Sequence, residues 1–153
     1  MLTATKTSSL GHEYTLAGDD DSKPGTFSLK KGRVGALIEF DGGEYRVRTH
    51  RFSGVYELLD ADGTVLASTG RVRRDWTLHA SGKDFEFRRT ETADREYTML
   101  GADGAKAGTV SRSRSAASVE LPGLKPETQV FVLVVVLLRR RRKRAAAAVR
   151  GAR

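Results

Sequence analysis

Short stretches of alternating apolar and polar residues, separated by glycine-containing turns, constrain the fold of this chain most strongly. Apolar side chains recur at every second position, which places them on one face of a β-strand. The stretches are residues 27–30, 45–50, 76–81 and 84–88. The turn signals are Asp41-Gly42-Gly43, Asp62-Gly63, Ser81-Gly82 and Asp103-Gly104. Because such dipeptides favour tight hairpins, the pattern predicts one mainly β domain, an antiparallel meander that closes as a barrel or a sandwich.

The chain contains a short repeated sequence pattern, which we call the internal echo. Residues 56–63 and 97–104 share the pattern Tyr-x-x-Leu-x-Ala-Asp-Gly, at an offset of 41 positions. One interpretation is that similar hairpins have similar sequences, and the other is that two related multi-strand units pack together. The sequence leaves both interpretations open.

Nine consecutive apolar residues occupy positions 130–138. A membrane-spanning helix needs about 20 such residues, and the proline-containing segment before the run cannot extend it. The valine content is typical of a buried strand, whereas Pro126-Glu127 and the good helix formers after the run favour a helix. A helix that is apolar on all sides belongs in the middle of a core. We therefore expect a central helix over about residues 126–144.

The chain has a series of hairpins, then a Val-Glu-Leu-Pro strand end (residues 119–122), a short linker and an apolar C-terminal segment. This order of elements resembles that of the tubby C-terminal-like superfamily. The resemblance covers residues 26–140 and is closest to the phospholipid scramblase-like and LURP-one-related branch. It depends on residues 56–63, 76–80, 84–87, 108–110 and the apolar run. The resemblance implies an antiparallel β-barrel that encloses a hydrophobic C-terminal helix. It also implies phosphoinositide binding or phospholipid redistribution, although fold does not fix function.

These features predict three segments: a leader and loop (1–25), a tubby-like barrel with its central helix (26–144), and a basic Ala/Arg tail (145–153). The first residues lack the apolar region of a signal peptide, so we expect a cytoplasmic protein that is peripheral at the membrane. The absence of cysteine excludes disulfides and thiolate chemistry.

The positive charge is concentrated at the C-terminus. The formal net charge is +8, and residues 139–153 contain eight basic residues and no acidic residue. The other 19 basic residues balance all 19 Asp and Glu residues. On this count the body is neutral, and the tail carries the net charge.

The sequence offers no catalytic set. His12, His50 and His79 are scattered, so we expect neither a metal site nor a cofactor. The acidic segment 19–21 lacks the ligand spacing of a calcium loop and is expected to be a solvated loop. No nucleophile elbow or phosphate-binding loop is present, and we expect that the protein is not an enzyme.

The basic cluster is the candidate lipid- or anion-binding site, since Lys and Arg attract anionic headgroups. Its residues are Arg139, Arg140, Arg141, Arg142, Lys143 and Arg144. Weaker candidates, expected on outward strand faces, are Arg46, Arg48, Arg71, Arg73 and Arg74. The expected function is a non-enzymatic lipid- or membrane-surface-binding module with anionic phospholipid as partner. The alternatives are nucleic-acid binding through the basic tail, a protein-interaction scaffold, or a cluster that only caps the helix and aids solubility.

Overall fold

A computed structural model describes residues 1–7, 11–20, 22, 24–50, 52–90 and 95–151, with the backbone alone for 142–145 and 149–151. Within these ranges the chain forms twelve strands and one helix, α1 (Pro126–Gly151). The strands are β1 (Leu2–Lys6), β2 (Glu13–Ala17), β3 (Gly25–Leu29), β4 (Val34–Phe40), β5 (Gly43–His50), β6 (Val55–Asp60), β7 (Val65–Thr69), β8 (Asp75–Ala80), β9 (Lys83–Arg89), β10 (Glu96–Leu100), β11 (Lys106–Arg112) and β12 (Ala116–Glu120).

The strands form a closed barrel in which each strand pairs antiparallel with its neighbours in sequence. Closure is made by β1 and β12, where Leu2 lies opposite Val119. The predicted barrel is confirmed, and a sandwich is excluded, because the ring has no free edge. The predicted alternation is also present: in β8, Trp76, Leu78 and Ala80 are buried, and the residues between them are at least partly exposed.

The helix α1 occupies the interior of the barrel. It begins at Pro126, where the fixed φ of proline suits the first helical position, and Glu127 lies in its positively polarised first turn. All nine residues 130–138 are buried, and the first six of them have no exposed surface. They form one core with the inward side chains of the strands. The interior supplies apolar neighbours on every side, so burial of about 1.5–3 kcal/mol per large side chain outweighs the weak helix propensity of valine.

The tight turns follow their predicted chemistry in two of four cases. Asp41-Gly42 and Ser81-Gly82 have positive φ at both residues, as a type I′ hairpin requires. In the other two turns only the glycine has positive φ. The strands before those two turns, β6 and β10, shift register at equivalent positions of the internal echo. The echo therefore marks one type of hairpin, with a bulge and a longer turn, used twice in the barrel.

The N-terminal segment differs from the predicted leader and loop (1–25). Its residues form β1 and β2, and Ala4, Tyr14 and Leu16 are buried in the core. Without β1 the barrel could not close, because β12 and β2 would each lose one of their two partner strands. The predicted boundary between residues 144 and 145 is corrected as well, since α1 continues to Gly151 through helix-forming alanines.

The meander gives the barrel two distinct ends. The proximal end, where α1 begins, holds the connections that follow the even-numbered strands, with described residues 18–20, 22, 24, 41–42, 61–64, 81–82, 101–105 and 121–125. The distal end, where α1 leaves the barrel, holds the connections that follow the odd-numbered strands, with described residues 7, 11–12, 30–33, 52–54, 70–74, 90, 95 and 113–115.

Candidate anion-binding surface

The first three arginines of the predicted cluster contact the rim of the distal end. Consecutive helical residues are separated by about 100° around the axis, so their side chains reach different loops. The Nη1 atom of Arg139 donates to the carbonyl of Val72 at 2.5 Å. Arg140 donates to the carbonyl of Ser113 at 3.2 Å, and Arg141 donates to that of Lys30 at 3.3 Å. These arginines fasten the helix to three separate hairpins.

The predicted site therefore divides into two parts. Arg139, Arg140 and Arg141 are all partly exposed, and they combine a structural hydrogen bond with an accessible charge. The backbone of Arg142, Lys143 and Arg144 continues α1, and their side chains lie outside the described residues. The first three members thus have a structural role that differs from helix capping, because they fasten α1 to the rim while the helix continues to Gly151.

The distal loops carry further cations. Eight exposed basic residues lie in these loops: Lys30, Lys31, Arg33, Arg71, Arg73, Arg74, Arg95 and Arg114. No described Asp or Glu residue lies in the same loops, and Glu91 and Asp94 of the chain fall outside the described residues. We call these eight residues, together with Arg139, Arg140 and Arg141, the basic rim. Arg71, Arg73 and Arg74 belong to it as loop residues, which corrects their predicted place on strand faces.

The proximal end has the opposite charge. Its exposed acidic residues are Asp19, Asp20, Asp41, Asp62 and Asp103. They come from four different connections, and the one basic residue among the described proximal loops is Lys125. A body that is formally neutral is therefore strongly polarised along the barrel axis.

Two pKa shifts report this polarity. The pKa of His12, in a distal loop, is lowered by burial and by the positive charges of Arg141, Lys6 and Lys31. The pKa of Tyr45, near the proximal end, is raised by burial and by negative charges that include Glu127 and Asp41. In both cases the charge contribution agrees with the local charge: cations lower the pKa of His12, and carboxylates raise the pKa of Tyr45.

The two other weaker candidates lie on β5, on the wall of the barrel. Arg46 is exposed, whereas Arg48 forms an ion pair with Glu57 through Nη2 at 2.9 Å. His50 contacts the same carboxylate. Hydrogen bonds from His50 and then Arg48 hold the pKa of Glu57 below its ordinary value. Arg48 is thus partly neutralised and does not belong to the basic rim.

The Glu57 cluster predicts a pH dependence of stability. A carboxylate with a lowered pKa in the folded state contributes stability above its unfolded pKa, near 4.5, and this contribution disappears as the pH falls through the folded pKa. We expect Glu57→Gln to cost about 1 kcal/mol at pH 7, because its partners are half exposed, and much less in acid. Urea denaturation at about pH 7 and pH 3 measures the difference. The control is Glu44→Gln, which changes an exposed carboxylate on the neighbouring strand β5. A cost that does not change with pH would contradict the assignment.

Sequence reasoning missed five of the eleven residues of the basic rim. It did not include Lys30, Lys31, Arg33, Arg95 or Arg114 among the candidate lipid-binding residues, because a total charge conceals their position. The sequence signal that could have identified these residues is the sign of the charge in every second hairpin connection, since a meander places alternate connections at the same end of the barrel.

In the described part of the chain, no group of three or more His, Asp or Glu residues is placed to hold a metal ion. None of the described helical stretches is long and apolar enough to cross a membrane. Comparison of the chain with protein-family models, with curated proteins and with solved structures gave no match.

Proposed function

We propose that this protein is a non-enzymatic module that binds anionic phospholipid surfaces through its distal end. The observation that supports the proposal most strongly is the collection of exposed cations from four separate loops and α1 at one end of the barrel. A barrel around a C-terminal helix is also the architecture that the tubby-like and LURP-one-related resemblance implies.

The arrangement suits a flat partner. A Lys or Arg close to an anionic membrane contributes about 1 kcal/mol, and the attraction decays within a Debye length of about 10 Å at 0.1 M salt. Only cations that reach the surface together therefore contribute. The basic rim meets this condition because its loops lie at the same end of one closed barrel. The proximal end, with its exposed carboxylates, would be repelled, so the partner also fixes the orientation.

Co-sedimentation with vesicles tests the proposal. The full chain should sediment with vesicles that contain phosphatidylserine and not with pure phosphatidylcholine vesicles. Binding should weaken steeply between about 0.1 M and 1 M salt, where the Debye length falls from roughly 10 Å to 3 Å. Mobility-shift assays with DNA and RNA run beside it. Binding to nucleic acid without binding to vesicles would replace the proposal with the nucleic-acid alternative, and binding to neither would favour a scaffold.

A further inference from the structure

Phe52 is the most exposed large apolar side chain among the described residues, at 96%. It lies in the connection between β5 and β6, at the distal end. An aromatic ring is a large hydrophobic group, so leaving it fully in water forgoes stabilisation that burial would provide. Its place among the loops of the basic rim suggests that it is buried against a partner.

The turn that carries Phe52 is anchored to its surroundings. The amide of Gly54 donates to the carbonyl of His50 at 3.1 Å, and the carbonyl of Gly54 accepts from the amide of Val72 at 3.0 Å. Gly54 has φ of 69°, a conformation that glycine adopts without strain. These bonds tie the turn to the neighbouring loop, so the ring is presented by a supported turn.

Cations flank the ring on two sides. A hollow of about 260 Å³ lies between Phe52, Arg71, Arg73 and Arg139. A second hollow, of about 830 Å³, lies between Phe52 and Arg33. An exposed ring with guanidinium groups on two sides suits the boundary of a bilayer, where apolar groups reach the acyl chains and cations remain with the phosphates.

We propose that Phe52 inserts into the headgroup–acyl boundary of an anionic phospholipid bilayer, with Arg33, Arg71 and Arg73 at the level of the lipid phosphates. This inference rests on the proposed function and adds a hydrophobic contact and a defined orientation. The distal end, together with the projecting end of α1, then faces the membrane, and the acidic proximal end faces water. Because insertion adds a hydrophobic contribution to the electrostatic one, part of the binding should remain at high salt, where the charges are screened.

Site-specific labelling tests the insertion, because the chain has no cysteine of its own. Phe52→Cys, labelled with an environment-sensitive fluorophore, should show a blue shift when phosphatidylserine vesicles are added. Lipids with a quencher near the headgroups should quench it. The matched control is Val65→Cys, an exposed apolar position at the start of β7 beside the proximal end; its label should not respond.

A second variant measures the contribution of the ring. Phe52→Ser should weaken the partition of the full chain onto phosphatidylserine vesicles by roughly tenfold, as expected when an aromatic side chain is only partly buried. Val65→Ser should leave the partition unchanged. Since both positions are exposed, circular dichroism should show that both variants fold.

The possible outcomes distinguish failure of this inference from failure of the proposed function on which it rests. If the unmodified chain sediments with anionic vesicles but the label at position 52 remains in water, insertion is overturned and surface binding stands. If the unmodified chain does not sediment, both proposals fail. A blue shift that depends on protein concentration without vesicles would also overturn insertion, in favour of self-association through Phe52.

Discussion

Val134→Asp is expected to abolish the cooperative unfolding transition. Val134 has no exposed surface and lies in the middle of the apolar part of α1, inside the barrel. An unpaired carboxylate there either loses its hydration, at several kcal/mol, or takes up a proton at a comparable cost. That cost approaches the whole stability of a domain, about 5–15 kcal/mol. Thermal melting followed by circular dichroism should therefore show no native baseline.

The matched control is Ala147→Asp on the same helix. Ala147 is exposed, beyond the rim of the barrel, so the substitution costs only the lower helix propensity of Asp, about 0.6 kcal/mol. Its melting curve should stay close to that of the unmodified chain. A soluble Val134→Asp protein with unchanged melting would contradict the placement of the helix inside the barrel.

Removing four cations from the basic rim is expected to eliminate most binding to anionic vesicles. We choose Lys31, Arg33, Arg73 and Arg74, which are exposed and whose side chains form no hydrogen bond or ion pair with the described part of the chain. Substitution of all four by serine removes about 4 kcal/mol of attraction at about 1 kcal/mol each. Partition onto phosphatidylserine vesicles should fall by roughly two to three orders of magnitude.

The variant is designed to change charge and leave the fold intact. It keeps Arg139, Arg140 and Arg141, whose hydrogen bonds fasten α1 to the rim. Main-chain bonds of the altered loops, such as that from Thr49 to the carbonyl of Arg33, do not depend on the side chain. An unchanged melting temperature with lost binding would locate the effect at the surface.

The sequence predicted the barrel because several strands obey a simple local rule. Strands β3, β5, β8 and β9 turn one face to the core and one face to water, so the two-residue alternation appears directly in the chain. The helix was also predictable, although valine favours strands. Pro126 and the alanine-rich end after the apolar run indicated its bounds, and interior burial gave the reason for its stability.

The N-terminal strands and the charge separation could not be obtained in this way. The segments that form β1 and β2 are short, and the role of β1 depends on pairing with β12, more than 100 residues away. The basic rim depends on the order of all twelve strands, because only the complete meander shows which loops share an end. Arg139 is both a surface cation and a hydrogen-bond donor to the carbonyl of Val72. The sequence around Arg139 could not reveal the second role, because Val72 lies in a distant part of the chain.

We expect the position of the charge, and not its total, to determine binding to anionic vesicles. The measurement is the ratio of the vesicle partition coefficients of two variants. In the rim variant, serine replaces Lys31, Arg33, Arg73 and Arg74, and the other variant is matched to it in charge. The latter replaces Arg46, Lys83, Lys106 and Lys125, exposed cations outside the distal loops, so both proteins lose four charges from the formal +8. The rim variant should bind phosphatidylserine vesicles at least about 100-fold more weakly than the charge-matched variant. Equal partition of the two variants would contradict it.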